Sequence, residues 1–198
     1  VMQPSDVTNQ RALEFFGCVV TSFAISADAS TEGGRYKFSA TLQTGKKPDL
    51  ASTATPAITP YLNTDIPMLS NGADIKVMNK EVVLSTFTTT IEHPAVFSGL
   101  TTTGYEVVGR GAEIAVTTEA QVKYDAETKT MINDYDTQTA ANTTNSFVIT
   151  NNNAFGVMIH NAVYTNVALS EGDMMMLDVA LKAVDDGTDA LVTVDVTA

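Results

Sequence analysis

Acyl or glycosyl transfer at neutral pH needs a base beside a nucleophile, and this 198-residue chain offers only His93 and His160 to activate a Ser, Thr or Cys. His93 precedes Pro94, which drives its backbone to an extended form at a strand end. His160 alternates with Gly156 and Met158, opposite Phe155, Val157 and Ile159. Both histidines are expected to be structural or exposed, and no catalytic residue is expected. The chain has no Gly-x-Ser-x-Gly elbow, His-Glu-x-x-His pair or Gly-Lys-Thr phosphate loop. Paired carboxylates for glycoside hydrolysis would need an aromatic-lined cleft, yet Trp is absent and aromatics are 7% of residues.

Other conspicuous groups read more simply. Asp185-Asp186-Gly187-Thr188-Asp189 is rich in oxygen but lacks the remaining ligands of a calcium loop, and Asp-Gly between alternating strands predicts a hairpin turn. Gly109-Arg110-Gly111 precedes a strand, so a bulge or turn is expected rather than a phosphate cradle. The single Cys18 cannot pair within the chain and reads as a small buried or strand-end thiol; with two histidines it cannot form a closed zinc site. No metal or cofactor is expected. In Met174-Met175-Met176, Met175 shares the Leu177, Val179 and Leu181 face and is expected in the core. Met174 and Met176 lie opposite, either in an adaptable subunit interface or on an edge under a loop.

The elements that must position these groups are mostly strands. Apolar residues are 44% and charged residues 17%, a balance that favours a folded core over disorder or a membrane span. Alternation with period two marks Arg35 to Gln43, where Tyr36, Phe38, Ala40 and Leu42 face one way, and Ala112 to Tyr124, where Ile114, Val116, Thr118, Ala120, Val122 and Tyr124 do. Further strands are expected over Cys18 to Ala27, Glu81 to Ile91, Gly104 to Val108, Asn145 to Thr150, Phe155 to Asn166, Met174 to Val184 and Ala190 to Val196. One amphipathic helix is expected from an Asp125 cap to about Thr139, with Thr128, Met131, Ile132 and Tyr135 on one side. The expected fold is therefore mainly β, a sandwich or barrel with one helix laid on the sheet.

Between Thr44 and Lys80 the alternation stops among Pro48, Pro56, Pro60 and Pro67, as in a linker or functional loop. Thr139 to Asn145 reads as a polar loop whose Asn142-Thr143-Thr144 sequon is expected to be unused. Val19 to Ser26 can be laid on Val163 to Ser170, each followed by an acidic turn and another alternating strand. Duplication and chance similarity of two Thr-rich hairpins both account for this echo. The corresponding partition is a hairpin over 1–47, a Pro-containing linker or arm over 48–71 and a main unit over 72–198. The N-terminal residues Val1 to Asp6 do not resemble a signal peptide, and a start at Val leaves processing or a longer parent chain open.

Charge narrows the partners. Against 11 Lys and Arg stand 23 Asp and Glu, a net −12, which argues against gripping nucleic acid by phosphate neutralisation. From Thr130 onward Lys182 alone faces nine carboxylates, so the C-terminal third carries most of the excess. That excess makes either a solvated, self-repelling face or a surface that avoids another polyanion.

The strand pattern, the lone helix, Gly17 to Ser26, Phe147 to Tyr164 and Asp185 to Asp189 before a final strand together resemble the major tail tube proteins of long-tailed bacteriophages, in particular those with a duplicated unit. The resemblance implies a virion structural protein without catalytic residues. Its sheets would join identical subunits, three or six, into a ring. Stacked rings, bound to other tail proteins, would form a conduit for DNA that passes without specific binding. An acidic lumen is the corresponding expectation, and strand alternation offers Glu113, Glu119 and Asp178 as its lining. The stretch from Gly45 to Asn79 would be the contact between successive rings, or an ordinary linker. A surface-displayed adhesin-like sandwich is the alternative class, and a glycan-active enzyme a third.

Overall fold

The computed structural model describes residues 13–31, 34–46, 49–50, 74–102, 104–111, 113–137, 146–151, 155–170 and 174–196. In chain order the elements are β1 (Leu13–Glu14), β2 (Val19–Asp28), β3 (Lys37–Gln43), β4 (Asp49–Leu50), β5 (Asp74–Val77), β6 (Lys80–Glu81), β7 (Leu84–Glu92) and β8 (Ala95–Thr101). They continue with β9 (Gly104–Arg110), β10 (Ala115–Lys123), α1 (Lys129–Asp136), β11 (Phe147–Asn151), β12 (Phe155–Ile159), β13 (Ala162–Ser170), β14 (Met176–Ala183) and β15 (Val192–Val196). The fold is a mainly β sandwich with one helix packed on it, as the alternation predicts. The described residues fall into two units. One lies within Val1–Ser22, Ala40–Asp65 and His93–Ile114; the other lies within Phe23–Ser39, Ile66–Glu92 and Ala115–Ala198.

The second unit holds the core. A six-stranded sheet runs β13-β14-β10-β7-β2-β3, and a five-stranded sheet runs β15-β12-β11-β5-β6; residues 19–22 of β2 and 40–43 of β3 are counted with the first unit. Their inner faces meet through side chains of period two: Ile25, Phe87, Val116, Val122, Leu177 and Leu181 from the larger sheet, Val77, Phe147, Ile149, Val157 and Ile159 from the smaller. Phe87 and Phe147 bridge the layers with ring centroids 5.7 Å apart. Two threonines interrupt this apolar layer. Thr89 and Thr118 are fully buried, stand opposite each other on β7 and β10, and share a 2.8 Å hydroxyl hydrogen bond. That bond is what lets Thr118 occupy an apolar face.

The helix is shorter than expected. Asp125 Oδ1 accepts the Thr128 and Glu127 amides, so it ties the turn before the helix, while Thr128 holds the N-cap position. Thr128 Oγ1 donates to the Lys123 carbonyl, which anchors the turn to the end of β10. Met131 is buried, Lys80 pairs with Asp134 at 2.9 Å, and the Tyr135 hydroxyl donates to the Thr165 carbonyl of β13 at 3.4 Å. Residues 138–145, with the sequon, lie outside the described residues.

In the first unit β8 and β9 form an antiparallel hairpin, β1 pairs with β4, and Lys46 bridges to Gly104. Gly104 has φ +125°, and a Cβ there would strike the Gly45 carbonyl oxygen. Backbone approach and backbone conformation thus both require glycine.

Several expectations are corrected. The strand placed at Ala112 begins at Ala115. Part of the stretch read as irregular is the β5–β6 hairpin, closed by Met78 and Asn79 at φ 50° and 63°; residues 51–73 of that stretch lie outside the described residues. Asp185 to Asp189 does not close a hairpin, because β14 and β15 belong to different sheets. Two of its carboxylates tie the loop: Asp185 accepts the Gly187 amide, and Asp186 accepts those of Thr188 and Asp189 and, from outside the loop, the Asn161 side-chain amide at 2.7 Å. Cys18 takes the strand-end alternative, exposed immediately before β2. Met175 precedes β14 and is exposed rather than core, and every residue of β3 is exposed. Of the predicted inward row, Tyr36 alone is buried.

Candidate functional site

The outward face of the six-stranded sheet is built from the residues that alternate with the core row. On β10 these are Thr117, Glu119, Gln121 and Lys123; the register sets Glu119 against Ala180 of β14 and Thr88 of β7, and Gln121 against Asp178 and Thr86. Thr86, Thr88, Glu119, Gln121, Asn166 and Asp178 line a shallow depression of about 330 Å3. Gln121 Nε2 donates to Asp178 Oδ1 at 2.9 Å, so an amide rather than a cation orients that carboxylate. A neighbouring hollow of about 280 Å3 includes Ser26, Asp28, Thr31 and Lys37. The Ser30 hydroxyl and amide both donate to Asp28 Oδ1, and these bonds hold its carboxyl below the ordinary value of 3.8.

Of the three acidic residues singled out by alternation, Glu119 and Asp178 come together on this face. Glu113 does not: it is exposed, outside β10, and assigned to the other unit. The same alternation places Asp28 and Glu92 on the face, and also Lys37, Lys123 and Lys182. Four carboxylates therefore stand against three ammonium groups among threonines, serines and amides. The surface is hydroxyl-rich and close to charge balance, so it can neither clamp a chain of phosphates nor repel it strongly.

The second candidate feature is the pair of lateral strands. Among the described residues β13 and β3 end the six-stranded sheet. Phe38 and Leu42 of β3 are 51% and 56% exposed, Leu169 of β13 is 48% exposed, and Met174 and Met175, just before β14, are exposed as well. Alternation alone fails to mark these residues, since it assigns an apolar row to a face but does not say whether a second layer reaches far enough to cover it.

The histidines serve structural contacts. His93 Nε2 lies 2.8 Å from the Gly111 carbonyl oxygen and its amide donates to Thr21 O; His160 Nε2 lies 2.9 Å from Thr193 Oγ1. Arg110, between the two glycines, closes β9 and donates to the Val20 carbonyl at 2.8 Å. Among the described residues no three His, Cys, Asp or Glu side chains converge as metal ligands, and no helix is long and apolar enough to cross a membrane. No family model matches the chain, and no curated protein matches it in sequence.

Proposed function

We propose that this chain is a structural subunit that self-assembles into stacked rings enclosing a hollow tube, in the manner of a phage tail tube, and that DNA passes through the bore without being held. The observation that carries this reading is the six-stranded antiparallel sheet whose two lateral strands lack partners among the described residues. Open edges present rows of unpaired N–H and C=O groups, and a closed ring of identical copies satisfies all of them. The outward face of that sheet suits a bore, because a cargo that must slide is stalled by strong attraction. Its near balance of charge replaces the strongly acidic lining as the basis of slippage.

Sedimentation velocity across a concentration series, with negative-stain images of the same samples, tests the proposal. Rings and hollow stacks that grow with concentration are expected. Dispersed monomers at high concentration would overturn it.

A further inference from the structure

We infer that the ring contact is a head-to-tail β-ladder between β3 of one copy and β13 of the next; this rests on the tube reading and specifies its partner strands. Strand direction is the first ground. β13, β14, β10 and β7 alternate in direction, and two backbone bonds, His93 N to Thr21 O and Ala29 N to Ser85 O, set β2 antiparallel to β7. Eight residues separate β2 from its neighbour β3, too few for a parallel crossover, so β3 runs opposite to β2 and the two edges of the six-stranded sheet run oppositely. A second copy brought alongside by rotation about an axis along the strands therefore meets β3 with an antiparallel β13, without inverting the molecule.

The internal echo is the second ground. β2 and β13 are the two strands with similar sequence, Val19 to Ser26 and Val163 to Ser170, and both run in the same direction within one sheet. They also present matching faces: Ile25 is buried, and its counterpart Leu169 stands opposite Leu177 in the core row. Among the described residues β2 is bordered on both sides, by β7 and β3, whereas β13 has β14 alone, and the strand after each echo shows the converse: β14 has two neighbours and β3 has one. Each open edge thus belongs to a strand whose counterpart in the same sheet is fully paired, and each lacks a neighbour of the direction that the other supplies.

Side chains agree with this pairing. Phe38, which already packs on Phe155 with centroids 5.6 Å apart, leaves half its surface exposed, as does Leu42; β13 offers Leu169, and the exposed Met174 and Met175 lie just before β14. The bulge between Tyr164 and Asn166 and the Tyr135 hydroxyl on Thr165 O occupy the first part of β13, so the ladder runs along Asn166 to Ser170. Neither β3 nor this segment carries an acidic side chain, so the ladder opposes no carboxylates.

The test is oxidative cross-linking of the full chain in a Cys18→Ser background. Ser39→Cys or Thr41→Cys on β3 is combined with Asn166→Cys or Ala168→Cys on β13, all four being on the outward face. Mixtures of one β3 variant with one β13 variant are expected to form disulfide-linked dimers, and a chain carrying both changes to form ladders of higher mass. A β3 variant that cross-links mainly to itself, or rings in the electron microscope with no β3–β13 product in any mixture, would overturn the pairing while leaving the tube reading intact. Absence of both rings and cross-links would overturn the two together. Leu42→Lys gives a second readout: unchanged circular dichroism with at least tenfold weaker self-association is expected, and unchanged association would contradict the ladder.

Discussion

At the residue scale the core owes its definition to a few polar groups placed against the apolar rule. The Thr89–Thr118 bond satisfies two hydroxyls at once, so Thr118→Val strands one partner and is expected to cost about 1–3 kcal/mol, whereas Thr89→Val with Thr118→Val is expected to be nearly neutral. Urea unfolding of the single and double variants checks this coupling. Tyr36 is the opposite case. Its hydroxyl is buried without a hydrogen-bond partner among the described residues, and burial pushes its pKa up to about 12. Tyr36→Phe is expected to stabilise the protein by about 1 kcal/mol. The raised phenol favours folding below pH 10, its ordinary value, and that contribution is lost as pH rises towards 12; the phenylalanine variant should lose less stability over the same window. Carboxylates act in the other direction. The amides of Asp189 and Thr188 hold Asp186 below 3.8, and the Thr128 amide does so for Asp125. Their contribution is present above 3.8 and lost as pH falls through the lowered values, so Asp186→Asn should flatten the acid limb of a denaturation midpoint plotted against pH.

At the element scale, what could be read from sequence followed what is encoded locally. β10 and β14 alternate so regularly that their faces were evident, because each residue of the buried row meets a facing layer. β3 alternates just as well, yet its row is exposed: burial depends on the reach of the opposite sheet, which no window of nine residues contains. The β5–β6 hairpin escaped because its two left-handed positions are filled by Met78 and Asn79 rather than the Asn-Gly pair that announces such a turn. Asp185 to Asp189 announced a turn correctly but not its partners, since turn chemistry bends the chain without choosing the sheet it enters. Of the candidate site, Glu119 and Asp178 were legible by parity; Glu113 was not, because the strand that would have set its parity starts two residues later. The first unit offers a sharp local test. Gly104→Ala meets the Gly45 carbonyl at a φ foreign to alanine and is expected to cost more than about 1 kcal/mol, seen as faster amide exchange along β8 and β9.

At the scale of the whole molecule, net charge and open edges oppose each other. In the proposed assembly a net charge of −12 would keep copies apart, while the edges of β3 and β13, unpaired among the described residues, and the exposed Phe38, Leu42 and Leu169 would draw them together. Screening weakens the first force and leaves the second, so raising salt is expected to lower the concentration at which assemblies form; light scattering against salt measures it. If the outward face lines such an assembly, duplex DNA is expected not to bind it with useful affinity, since among the described residues three lysines stand there beside four carboxylates. The central claim is self-association around an empty axis lined by that face. Electron cryomicroscopy of assemblies grown at high concentration tests it most directly. The predicted result is a hollow cross-section with Thr86, Thr88, Glu119 and Asp178 turned towards the bore; a solid fibre, persistent monomers, or a bore lined by the five-stranded sheet would contradict it.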